Sequence, residues 1–256
     1  MSKMKGRAND RLGTLGGRYG MSESGLWRPV WTITKYADED AHRRSEHYER
    51  LVLPGNKLLN EGINELFNLL CGDVGATPFD NANAYIGVGN GGLTAITGVS
   101  VAFTTGSRAV VGVGTGFGGV GAGDPVVGDW IQLDADGVLY LVDHVTNVTN
   151  LELYYAYGET GAAPGAGSLL KPADTDLLGG STQYNAMDGG FPTYGATQLA
   201  TWQATFAAGE ANFAWAEITV CNGATGASVN LNRLVQSMGT KVAPAVWTAS
   251  LEVSLV

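Results

Sequence analysis

Leu53 to Gly92 reads LPGNKLLNEGINELFNLLCGDVGATPFDNANAYIGVGNGG, an amphipathic helix that runs into a buried strand. Pro54 and Asn56 suit a helix entry. Leu59, Ile63, Leu66, Phe67 and Leu70 recur at three- and four-residue spacing, which lines one helical face. Asn60, Glu61, Asn64, Glu65 and Asn68 take the other. The pattern predicts a helix over 56–71 with Leu66 and Phe67 in the core, stopped by Gly72 in the left-handed conformation. Asp73 to Pro78 is loop chemistry, Ala84 to Val88 is a short run of strand formers, and Asn90-Gly91-Gly92 is a turn. No residue here has the character of a catalytic group, so the stretch reads as scaffold.

Outward from it, the chain reads as sheet. Leu26 to Tyr36 is a strand candidate that places Trp27, Trp31 and Ile33 on one side, with Pro29 drawing its start toward a sheet edge. The charged run Asp38 to Arg50 is a solvated helix or loop. Val99 to Thr104 and Arg108 to Val113 are strand-like runs split at Thr105-Gly106. Val126 to Tyr157 is self-contained, because Asp134-Ala135-Asp136-Gly137 joins two alternating runs as a hairpin and a third run completes a meander. Glycine tracts at 112–123 and 158–167 flank it as hinges. Lys171 to Thr201 is loop-rich. Thr201 to Val220 reads as a hairpin turned at Gly209-Glu210, and Val246 to Leu255 alternates as a half-buried antiparallel strand.

These readings assemble into a mainly β protein, an antiparallel, jelly-roll-like β-sandwich with one amphipathic helix and an inserted small β-barrel-like lobe. The sandwich takes 25–111 and 169–256, the lobe 112–168, and 1–24 is a basic flexible arm. Glycine, at 38 of 256 residues, fits many short strands joined by turns. Cys71 and Cys221 are too few and too distant to be a disulfide framework, and both read as small buried hydrophobes.

The net charge of −9 hides an asymmetry. Residues 1–57 hold eleven of the fifteen bases against seven acids, a local +4, and the remainder carries four bases against seventeen acids, or −13. A basic arm precedes an acidic body, which argues against a general nucleic-acid binder. No apolar run approaches the ~20 residues of a membrane span, and Met1 to Gly20 lacks the apolar section of a secretion signal. Within the arm, Lys3, Lys5, Arg7, Arg11 and Arg18 are interspersed with Leu12, Leu15 and Tyr19. These eight residues are the candidate partner-binding set, because exposed ion pairs contribute only ~0–1 kcal/mol each and ordering the segment requires a surface to cover it.

No motif for chemistry holds in its sequence context. Gly87-Gly89-Gly92 and Gly114-Gly116-Gly119 match G-x-G-x-x-G, but neither precedes a helix whose amino terminus would meet a pyrophosphate. Asp134, Asp136 and Gly137 start like a calcium loop without the acid that closes one. His42, His47 and His144 form no metal spacing, and no serine or cysteine sits beside a base. Asn147-Val148-Thr149 is a turn. The expectation is a protein without catalytic residues, cofactor or metal.

The order of a tryptophan-bearing strand, NKLLNEGINELFNLLCG, NAYIGVGNG, a long variable middle, AGEANFAWAEITVCNG and LNRLVQSMGTKVAPAVWTASLEVSLV resembles structural proteins of tailed-bacteriophage virions, of the capsid decoration or cement type or the tail-fibre and tail-tip type. GDWIQLDADGVLYLVDHVTNVTNLEL is similar to small β-modules inserted in virion proteins. The resemblance covers Leu53 to Gly92 and Thr201 to Val256. It implies a non-enzymatic virion protein made in the host cytoplasm, homo-oligomeric, whose partner is the major capsid or tail protein. The arm suits docking on a shell. The alternative is a tail component that binds a host receptor or glycan.

Overall fold

A computed structural model describes residues 27–55, 57–160, 163–195, 198–225 and 228–255. In chain order the elements are β1 (Trp27–Tyr36), α1 (Glu39–Arg43), β2 (His47–Pro54), β3 (Lys57–Leu58), α2 (Asn60–Leu70), β4 (Tyr85–Gly89), β5 (Thr94–Ala95), β6 (Ser100–Phe103) and β7 (Ala109–Val113). β8 (Trp130–Leu133), β9 (Tyr140–Asn147), β10 (Asn150–Leu153), β11 (Gly167–Leu170), β12 (Thr182–Ala186), β13 (Thr193–Tyr194), β14 (Leu199–Phe206), β15 (Ala214–Cys221), β16 (Asn232–Thr240) and β17 (Val246–Leu255) follow.

Two five-stranded sheets, β13-β14-β17-β1-β2 and β12-β4-β15-β16-β3, form an antiparallel sandwich. Period-two alternation supplies its core from Trp31 and Ile33 of β1, Trp247, Ala249, Leu251 and Val253 of β17, and Ile218 and Val220 of β15, with Trp215 brought into the same core by the register shift between Trp215 and Glu217. Trp215 meets Phe206 and Trp247 edge-on at 4.8 and 4.9 Å between ring centres, the arrangement that aligns positive ring edges with negative faces. β1 is an interior strand, paired to β17 from Trp27↔Leu255 and to β2 only from Val30↔Pro54. Pro29 therefore lies where β2 has already ended, so the start of β1 is a local sheet edge, as its proline suggests, while the rest of β1 is interior.

The third sheet has seven strands in the order β5-β11-β8-β9-β10-β7-β6 and its own core of Val110, Ile131, Leu133, Val142, Leu151 and Leu169 among others. The β8–β9–β10 meander is present as expected. The lobe begins earlier than 112, because β5, β6 and β7 pair here and not in the sandwich. It is no closed barrel. The sheet curls until Val101 of β6 bridges Gly165 just before β11, and beyond that single bridge the edges stay open. Trp130, Leu139 and Leu170 pack with Leu93, Leu141 and Val235 to join the lobe to the sandwich, and the Lys57 ammonium sits 3.1 Å over the Trp130 ring.

Three further expectations are corrected. The segment 201–220 is no hairpin: β14 pairs with β17 in one sheet and β15 with β4 and β16 in the other, so Gly209-Glu210 is a corner between layers. Buried Lys241 fastens it by donating to the Ala207 and Glu210 carbonyls at 2.7 and 2.8 Å. Lys171 to Thr201 contains an edge strand of each sandwich sheet, β12 and β13. Cys71 is exposed, and only Cys221 is buried.

Candidate interaction surface on α2

α2 starts at Asn60, four residues later than the sequence suggests, because Lys57 and Leu58 are first drawn into pairing with Arg233 and Asn232 of β16. Its rotation also differs from expectation. Gly62 and Glu65 are the residues that face inward. A Cβ on Gly62 would overlap the backbone of Asn230 and Leu231, so this close approach admits glycine alone. Glu65 accepts from the Thr77 amide at 2.7 Å and the Asn222 side chain at 3.3 Å, and Glu61 accepts from the Asn230 amide at 2.6 Å. Burial pushes the Glu61 carboxyl above its ordinary range, against the opposing effect of the Asn230 hydrogen bonds. Leu66 and Leu69 pack partly buried against the core.

That orientation leaves an apolar stripe in solvent. Phe67 is 59% exposed, Leu70 80% and Val74, just past the helix, 103%. Half-buried Ile63, Phe67 and Leu70 recur at four- and three-residue spacing on one helical face, and exposed Val74 follows beyond the Gly72 turn. Phe67, read from the sequence as core, and Leu70, assigned to the same apolar face, are thus surface. Along the chain this stretch is free of bases: Leu58 to Ser107 contains Glu61, Glu65, Asp73 and Asp80 and no lysine or arginine. Glu61 and Glu65 are engaged inward, and Asp73 is exposed next to Val74. The last turn of the helix carries no base, and its Phe67, Asn68 and Leu69 carbonyls accept from the Cys71, Asp73 and Gly72 amides.

A buried ionic cluster behind α2 was not foreseen. Arg233 donates from Nε to Glu217 at 2.9 Å, pairs with Asp174 at 2.9 Å and donates to the Gly92 carbonyl at 2.9 Å. Glu217 also accepts from the amides of Gly91, Leu178 and Gly179 at 3.1, 3.1 and 2.7 Å. These polar groups answer one another, so the cluster acts as a staple that ties the 90–92 and 174–179 loops to β15 and β16. In the lobe, Tyr157 donates to Asp136 and stacks near Tyr140 and Phe103, and burial with that acid neighbour pushes its phenol well above the ordinary value. Tyr154 and Tyr155, by contrast, are exposed and meet edge-on at 4.7 Å. A cavity of about 190 Å³ lined by Ala95 to Val101, Thr115, Asp134, Ala166 and Gly167 offers one carboxylate and no histidine or cysteine.

Lys3, Lys5, Arg7, Arg11, Leu12, Leu15, Arg18 and Tyr19 all lie outside the described residues. Gly87 and Gly89 are in β4 and pack under Tyr184 and Glu217, in a sheet and not before a helix. Among the described residues no three His, Cys, Asp or Glu side chains group to hold a metal ion, and no helix is long and apolar enough to cross a membrane. No protein-family model, curated protein or solved structure matches the chain.

Proposed function

We propose that this chain is a non-enzymatic structural protein of a tailed-phage particle, a capsid decoration or cement protein that docks on the major capsid or tail protein through its arm and oligomerises. The observation that carries the reading is the outward apolar stripe of α2. A monomer gains nothing from leaving Phe67, Leu70 and Val74 in water, and contiguous exposed apolar patches mark sites of association. The resemblance of 53–92 and 201–256 to virion proteins supplies the kind of assembly, and the basic arm supplies a segment able to reach a neighbour.

The exposed Tyr154–Tyr155 pair favours a second reading, a tail component that binds a host glycan, since aromatic faces pack on sugar rings. Electron microscopy of particles carrying the chain separates the two. Density at symmetric positions on the shell is the expected result, density confined to the tail tip selects the second reading, and particles without such density overturn both.

A further inference from the structure

The stripe on α2 needs an occupant, and its size restricts the choice. Its side chains expose roughly 400 Å², the scale of a functional patch on a monomer. A stable face-to-face dimer buries ~800 Å² per partner, so a peptide segment suits the stripe better than a second folded surface. We propose that the chain's own arm lies along α2, with Leu12, Leu15 and Tyr19 covering Ile63, Phe67, Leu70 and Val74 and the arm's bases facing outward.

Reach, pattern, charge and tethering converge on that occupant. The first is reach. The Gly55 amide donates to the Pro29 carbonyl at 3.3 Å, so residues 1–26 join the sandwich beside the segment that feeds β3 and α2. Tyr19 is eight residues ahead of Trp27, a span of up to ~26 Å, while eleven helical residues extend only ~16 Å. The second is pattern. Leu12, Leu15 and Tyr19 recur at three- and four-residue spacing, as the stripe does, and Arg11 and Arg18 each precede an apolar member by one position. The third is charge. Residues 1–24 hold five bases against two acids, and Leu58 to Ser107 holds no base that would repel them, while Asp73 is exposed next to Val74 and the carboxyl end of α2 carries the negative end of its dipole. The fourth is effective concentration. A tethered segment meets its site at an effective concentration near ~1 mM, far above that of a second copy in dilute solution.

The same stripe carries the particle reading, so in the free protein the arm occupies the surface which that reading assigns to association. Where both hold, the docked arm presents Lys3, Arg7, Arg11 and Arg18 as one pre-ordered basic edge for a shell to meet.

The molecule carries its own probe site. Cys71 is exposed and adjoins Leu70, while Cys221 is buried, so a benzophenone maleimide attaches beside the stripe of the full-length protein. Irradiation of the dilute free protein should join Cys71 to peptides spanning residues 8–21 within a monomer. Phe67→Glu and Leu70→Glu, at positions the fold leaves in solvent, should release the arm and speed trypsin cleavage at Arg11 and Arg18 about tenfold, as expected for a docked state favoured roughly ten to one. Cleavage at the same rate in wild type and both variants overturns the proposal. So do arm cross-links found only at dimer mass, which assign the stripe to a second copy's arm. None of these measurements involves a particle, so failure here and failure of shell binding are separate results.

Discussion

Arg233 shows how a single buried residue sets the cost of change. It is nearly inaccessible, and its partners Glu217 and Asp174 are held in turn by β15 and the 174–179 loop. Replacing it with methionine preserves volume but strands the Glu217 carboxylate, and breaking a buried pair in this way typically costs ~3–5 kcal/mol. Arg233→Met should lose that much in urea titration, and a loss under ~1 kcal/mol would mean the staple is dispensable. The two thiols make a second contrast at this scale. Burial, aided by the fields of Asp176 and Glu61, pushes the Cys221 thiol up to about 12, although its bond to Gly223 acts the other way. At pH 8 the native protein should take up one alkylating group, at Cys71, and a second only in denaturant. Intact-mass measurement of two adducts on the native chain would place Cys221 in solvent.

At the scale of elements, α2 shows what periodicity can and cannot convey. Counting apolar spacing found the helix but assigned its faces wrongly, because a buried glutamate and a glycine pressed on a backbone carry no hydrophobic signal. Gly62 in the middle of a helix was the available sign, since glycine there costs ~1 kcal/mol relative to alanine and a close approach is one reason to accept that cost. The consequence is a change whose direction discriminates. Gly62→Ala would stabilise a free helix by ~1 kcal/mol, yet here the added methyl meets the Leu231 backbone, and overpacking of ~1–3 kcal/mol should dominate. Net destabilisation in denaturant is expected, and net stabilisation would show the helix stands off from 230–231. The central strands of the first sandwich sheet follow the same logic. β1 and β17 were legible because alternation is a direct record of one buried face. The corner at 207–213 was not, because two strands that turn between layers and two that pair share the same turn residues. The candidate stripe was legible as apolar spacing and illegible as surface.

The whole molecule is two cores joined across a small seam. The chain crosses between them near Leu93 and again near Leu170, and the contact rests on Trp130, Leu139 and Leu170 against Leu93, Leu141 and Val235, with Lys57 over the indole. Trp130 is the largest side chain in that contact, and it lies on the strand β8 that also anchors the lobe's meander. Truncating it should remove ~3–5 kcal/mol of combined packing and cation attraction, most of it from the seam and little from either core. Coupling between units depends on the seam remaining costly to break, since each unit has a separate hydrophobic cluster and can open by itself once the seam is weak. Calorimetry of wild type should therefore show one transition whose van't Hoff and calorimetric enthalpies agree. In Trp130→Ala the lobe should melt first, giving two resolved transitions and a van't Hoff enthalpy well below the calorimetric one. If the variant instead melts in a single transition merely shifted to lower temperature, the cores are coupled through the strand crossings and the Arg233–Asp174 staple, and the tryptophan seam is only a contributor.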